Sequence, residues 1–198
     1  MLRTCEIRWF FQTAPFDRSL LVRETAEAAP RTDWYAPPAD PRCGVKAREG
    51  QLETKLLVQD DGVRVMGLAT GRMQTWSKWS LAFPPNEFPA AELLAATGWV
   101  PVNKRRFLRS FRYHSGDVAE VDPQEDADCQ FEWTELAVRG APYWTIGLEA
   151  FRGPGLGQVL LCVAARVLQD LPGGTCLAEE NSASYPAWLR TLLEGEYP

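Results

Sequence analysis

A chain of 198 residues, 45% apolar and 24% charged, has the balance of a globular domain, which excludes a disordered chain; its scattered 15 Gly and 15 Pro exclude a collagen-like one. The length suits a single domain over 1–198, able to remove roughly 70% of its unfolded surface from water. A net charge of −5 argues against nucleic acid as a partner, because domains that bind it are usually basic.

The charge is segregated along the chain. Residues 103–112 carry Lys104, Arg105, Arg106, Arg109 and Arg112 and no acid, whereas 117–135 carry eight acids and no base. The five cysteines (Cys5, Cys43, Cys129, Cys162 and Cys176) contain no C-x-x-C pair, so structural zinc is not expected. The opening MLRTCEIRWFFQ lacks a secretion-signal pattern, and no apolar run reaches the roughly 18 residues of a membrane span. The expectation is a soluble, cytoplasmic protein with reduced, buried thiols and no membrane partner.

In chain order, 5–11 reads as a strand with Glu6 and Arg8 on one face and Cys5, Ile7, Trp9 and Phe11 on the other. Residues 18–28 have helical composition and stop before Pro30; 30–43 reads as loop, except for a short strand at Asp33-Trp34-Tyr35. Val45–Arg48 and Gln51–Gln59 form a hairpin about Glu49-Gly50, and Asp60-Asp61-Gly62 marks the next turn. Strands at 63–69 and 74–83 follow, then a short helix at 89–97 closed by Gly98. Trp99–Tyr113 reads as a long basic strand bulged near Leu108, and 115–128 as an acidic turn and loop. Cys129–Val138 and Tyr143–Phe151 are two further strands, after which the pattern turns helical at 156–171 and, behind a Ser184 cap, at 185–194. The class is α+β with an antiparallel sheet, since no βαβ alternation is present.

The unusual feature is charge inside strands. Lys46 with Arg48, Glu53 with Lys55, and Lys104 with Arg106 share parity, as do Glu132 with Thr134 and Glu149 with Gly147 and Thr145. The opposite parity is mostly apolar, except that Val100 and Val102 fall on the same face as Lys104 and Arg106. Two architectures fit: an open sheet with a solvated polar face, or a barrel with charges pointing inward, which is costly unless they are paired or serve a charged ligand.

These residues, in this order, resemble the CYTH superfamily of triphosphate tunnel metalloenzymes. The resemblance runs from about residue 5 to 151, with the C-terminal helices at about 155–195 beyond it. Glu6 matches the first acid of the family's opening E-x-E-x-K motif, whereas Arg8 and Phe10 stand where its second Glu and its Lys belong. Asp33-Trp34-Tyr35 is similar to its short aromatic strand, Val45–Arg48 with Leu52–Lys55 to its basic hairpin, and Lys104 and Arg106 to its basic strand. The resemblance implies an eight-stranded antiparallel barrel, open at both ends. It implies phosphate binding by Arg8, Lys46, Arg48, Lys55, Lys78, Lys104, Arg106 and Arg109, and Mg or Mn held by Glu6, Glu132 and Glu149. Arg8 replaces an oxygen ligand with a cation, and only one acid remains in 144–151, which counts against the metal.

The expected function is therefore binding of a triphosphate, or of another phosphorylated small molecule or inorganic polyphosphate, without efficient catalysis. The alternative is a Mg- or Mn-dependent triphosphatase acting on tripolyphosphate or on nucleoside or thiamine triphosphate. A third reading, prompted by eight Trp, is a barrel for an apolar ligand or a protein partner; against it, Trp9, Trp79, Trp133 and Trp144 are expected in the core. Other signals are weaker. His114 has no nucleophile partner, and Gly153–Gly157 lacks the Gly-Lys-Ser/Thr ending of a phosphate loop.

Overall fold

Alternation gives most strands of this chain one largely charged and one largely apolar face, and a sheet so built buries both by curling up. The computed structural model describes residues 1–17, 26–84, 86–122, 125–153, 155–172 and 175–195. Its strands are β1 (Leu2–Phe11), β2 (Ala26–Tyr35), β3 (Cys43–Arg48), β4 (Gln51–Met66), β5 (Ala69–Ala82), β6 (Val100–His114), β7 (Asp117–Val121), β8 (Cys129–Val138) and β9 (Ala141–Ala150). They pair antiparallel in the order β2-β3-β4-β5-β1-β9-β8-β6-β7, and a further β2–β6 pairing closes eight of them into a barrel with β7 outside. Three helices accompany it: α1 (Ala91–Ala96), α2 (Leu156–Val167) and α3 (Tyr185–Glu194). No helix among the described residues is long and apolar enough to cross a membrane.

Three hairpins turn on a non-glycine and a glycine that both have positive φ: Glu49-Gly50, Ser115-Gly116 and Arg139-Gly140. This backbone matches the right-handed twist of the flanking strands, and glycine adopts its half without strain.

Several boundaries differ from the sequence reading. The expected helix at 18–28 lies largely outside the described residues; from Ala26 onward the chain is strand, and β2 runs through Pro30 with a register shift against β6 between Ala28 and Arg31. Asp60-Asp61-Gly62 is not a turn. β4 continues through it, its pairing with β5 shifting between Leu57 and Gln59 and between Asp60 and Gly62, and the chain reverses at Gly67-Leu68. Conversely, β6 carries no register shift against β8 at Leu108, and the acidic loop contributes β7, a short strand on the outer edge of β6.

Two apolar cores flank the charged lumen. Cys5, Ile7, Trp9, Phe131, Ile146 and Leu148 face outward and are covered by Val159, Leu160 and Val163 of α2, all at 0–1% exposure. The second core fills one end of the barrel from inside: Phe10, Val100, Val102, Leu136 and Val138 meet Trp188 and Leu189 of α3. Trp188 stacks on Phe10 at 4.4 Å between ring centroids. Helix α3 begins where the Ser184 hydroxyl accepts from the Ala187 amide, and it comes so near β3 that a Cβ on Gly44 would stand 2.8 Å from Pro186 Cγ. The barrel is thus closed at one end rather than open at both. This also accounts for Val100 and Val102 on the parity of Lys104 and Arg106: the inner face grades from hydrocarbon at the plugged end to charge farther along. Of the tryptophans expected in the core, Trp9 and Trp133 are buried and Trp144 half-buried, whereas Trp79 is 40% exposed on the outer wall. Of the thiols, only Cys5 and Cys129 are buried.

Candidate anion-binding lumen

Inward parity brings charged side chains from all eight barrel strands to one cavity of about 370 Å³, within the range of small-molecule sites. Strand β1 contributes Glu6 and Arg8; β3 contributes Lys46 and Arg48; β4 contributes Glu53 and Lys55. Lys78 comes from β5, Lys104 and Arg106 from β6, Glu132 from β8 and Glu149 from β9. Arg31 of β2 joins them, and Tyr185 at the start of α3 lies on the floor. Eight cations and four carboxylates therefore line the cavity, and a fifth carboxylate, Asp33, is buried directly behind it at 0% exposure.

Every one of these carboxylates is engaged. Asp33 meets Lys104 at 2.9 Å, Arg31 at 3.1 Å and Lys46 at 3.5 Å. Glu53 meets Lys46 at 3.0 Å, Lys78 at 3.3 Å and also Arg48. Glu132 accepts from Arg8 at 2.8 Å and from Arg106 at 2.5 Å. Glu6 is bound by Lys55, which also lies 3.8 Å from Glu149.

Arg8 sits in a place made for it. Its cross-strand partner is Gly147, and a Cβ there would come 2.6 Å from the guanidinium carbon. The missing side chain is what admits the guanidinium, which also lies 5.0 Å from the centroid of the Tyr185 ring. Lys104 Nζ lies 4.0 Å from the same centroid and donates to the Tyr35 hydroxyl at 2.8 Å.

Burial by itself raises the pKa of a carboxyl and lowers that of an amine. Around Asp33 that effect is outweighed by Lys104, Lys46 and Arg31, and around Glu132 by Arg106 and Arg8, so both acids are held well below the usual carboxylate range. Glu53, buried but facing Lys46, Lys78 and Arg48, is lowered to about 2. Glu149 is lowered in the same sense, chiefly by Lys55 against its burial. At Lys104 burial wins over the attraction of Asp33, with Lys46 adding repulsion, and its pKa falls to about 7. Lys46 is lowered for the same primary reason.

Of the eight expected phosphate-binding residues, the structure brings Arg8, Lys46, Arg48, Lys55, Lys78, Lys104 and Arg106 together. Arg109 is elsewhere. With no bulge in β6, it shares the outward parity of Phe107 and Phe111 and pairs with Glu120 of β7 at 2.6 Å and with Asp170 at 3.4 Å. Sequence reading missed Arg31 because 30–32 read as loop; it read Asp33 as strand without assigning it to the site, and it passed over Glu53 although its parity with Lys55 was plain. It had no signal for Tyr185, which reaches the lumen from a helix remote in sequence.

Glu6, Glu132 and Glu149, the three expected metal ligands, do line the lumen. They do not form a metal's donor set. Each is engaged by Lys or Arg, the guanidinium of Arg8 is among them, and no group of three His, Cys, Asp or Glu that could hold a metal ion occurs among the described residues.

No family model matches the chain, and no curated protein matches its sequence. Among solved structures it is similar to a conserved hypothetical protein from Pyrococcus furiosus, at 12% identity and a TM-score of 0.37 over 92% of this chain and 98% of that one. It is also similar to HpAC1 from Hippeastrum, a candidate adenylyl cyclase described with a dominant triphosphatase activity, at 10% identity and a TM-score of 0.44 over 100% and 98%. Likeness of this degree carries no functional weight, and what the lumen does is read from its own side chains.

Proposed function

We propose that the lumen binds a phosphorylated polyanion, a triphosphate or polyphosphate chain or its organic ester, directly through lysine and arginine and without a divalent cation. The observation that carries this reading is the excess of eight cations over five carboxylates, Asp33 included, around one cavity, in a chain whose net charge is −5. Buried cations cost several kcal/mol each unless matched, and the carboxylates present leave part of that charge for a ligand to neutralise. Charge-assisted hydrogen bonds to phosphate oxygens are roughly twice as strong as neutral ones, and arginine makes them in pairs. Inward Glu, Lys and Arg on a closed eight-stranded antiparallel barrel are also the features that resemble the CYTH superfamily, and they support placing the chain near it.

Hydrolysis in the manner of that superfamily needs a divalent cation to neutralise the transferring phosphoryl group and orient water. The carboxylates that would hold it are bound to Lys55, Arg8 and Arg106, so no hydrolytic step is assigned to this chain. An apolar ligand suits the lumen poorly, because its walls are ionic.

The test is calorimetric titration with sodium tripolyphosphate in the presence of a chelator. Binding is expected under those conditions, and it should weaken steeply as salt rises. Absence of both heat and a melting-temperature shift with tripolyphosphate, pyrophosphate and a nucleoside triphosphate refutes the reading. Binding that appears only after Mg or Mn is added refutes the metal-free part of it.

A further inference from the structure

The surplus charge is not spread evenly around the lumen. On the arc formed by β1, β9 and β8, Glu6, Glu132 and Glu149 face three cations: Arg8, Lys55 reaching from β4 and Arg106 reaching from β6. That arc is balanced. On the arc from β6 through β2, β3 and β4 to β5, five cations share only Asp33 and Glu53. The excess lies on that side.

Within the excess arc one contact stands out. Glu53 sits at the middle of three adjacent strands, directly opposite Lys46 on β3, and draws in Lys46, Arg48 and Lys78 from its two neighbours. Its side chain is only 4% exposed. Beside it, Lys55 and Lys78 are direct cross-strand partners, a like-charge pairing that sheets ordinarily avoid. Three cations on one carboxylate exceed what a single negative charge balances. A terminal phosphoryl group has three oxygens and up to two negative charges, and so has one acceptor for each of the three.

Resting on the phosphate-binding reading above, we infer that Lys46, Arg48 and Lys78 form the seat for a terminal phosphoryl group, and that Glu53 is a built-in competitor for it. The carboxylate keeps three mutually repelling cations folded into one place and must yield part of its contacts to the ligand. Glu53 thereby sets the affinity of the site: it is a positioning residue that lowers affinity for phosphate while stabilising the barrel.

The experiment compares wild type with Glu53→Gln by titration with tripolyphosphate and with orthophosphate in chelator, and by thermal melting with and without tripolyphosphate. Glu53→Gln should bind tripolyphosphate about ten-fold tighter, with a steeper salt dependence. It should melt lower than wild type without ligand and recover on adding it. A purely structural glutamate predicts the opposite sign in binding, because cations released from it would scatter. If wild type binds and the variant binds equally or more weakly, the competitor role is overturned while the phosphate-binding reading stands. If neither binds, both fall. Should Glu53→Gln fail to fold, Glu53→Asp carries the test: its carboxylate is one methylene shorter, and it should tighten binding about three-fold. No tightening there overturns the inference.

Discussion

The outer and inner faces of β1, β8 and β9 lie one residue apart in sequence and differ entirely in chemistry. Outward, Ile7, Trp9, Phe131 and Leu148 are sealed by α2 at 0–1% exposure. Inward, Glu6, Arg8, Glu132 and Glu149 are ion-paired around the cavity. The outer face is held by area removed from water, which tolerates salt and needs no ligand. The inner face is held by ion pairs working against their own desolvation, which makes it responsive to pH, salt and anions. One set of strands thus supplies stability on one side and leaves the other free for binding.

The largest expected effect is on the outer face. Leu160→Ala removes a fully buried side chain of α2 and should cost about 2–5 kcal/mol in urea unfolding. The affinity of the folded protein for tripolyphosphate should not change, and a change would show that the two faces are coupled. Acid should act on the inner face. Glu53 has a folded pKa of about 2 against an ordinary value of 4.5, so its contribution is complete above pH 4.5 and is lost as pH falls from there through about 2. That loss is on the order of 3 kcal/mol from Glu53 alone, and Asp33 and Glu132, also lowered, add to it in the same direction. Stability measured from pH 6 to pH 2 should fall accordingly, and a flat profile would show that these acids are not paired. A smaller effect is expected from Gly147→Ala. Its Cβ would crowd the Arg8 guanidinium, costing about 1–3 kcal/mol of stability and weakening anion binding a few-fold, whereas the same change at the open turn residue Gly67 should leave binding intact.

Much of this contrast was legible in the sequence, because parity alone assigns Glu6, Arg8, Lys46, Arg48, Glu132 and Glu149 to one face and their neighbours to the other. Parity did not say whether the charged face was convex or concave; the β2–β6 pairing decides that, and it joins segments some 70 residues apart. Where reading failed, irregularity was the usual cause. Asp60-Asp61-Gly62 has the composition of a turn but is absorbed as bulged strand. The resemblance placed Arg109 in the lumen with Lys104 and Arg106, but its parity is that of Phe107 and Phe111, and it faces outward to Glu120. Pro30 hid the part of β2 that carries Arg31, since proline is tolerated at such a register shift, and only Asp33-Trp34-Tyr35 was legible as strand. The importance of Glu53 was hidden for another reason: it lies in the convergence of three cations from two other strands, and no local pattern records that.

Helix α3, with Trp188 laid on Phe10 and Tyr185 above it, stoppers the barrel at one end. A vessel with a single door admits guests head first and returns them by the same way. If the lumen binds as proposed, a linear phosphate chain would enter by its tip and leave its remaining length, or whatever is esterified to it, outside. On the proposed function, such an arrangement would read the tip of the guest and ignore its tail.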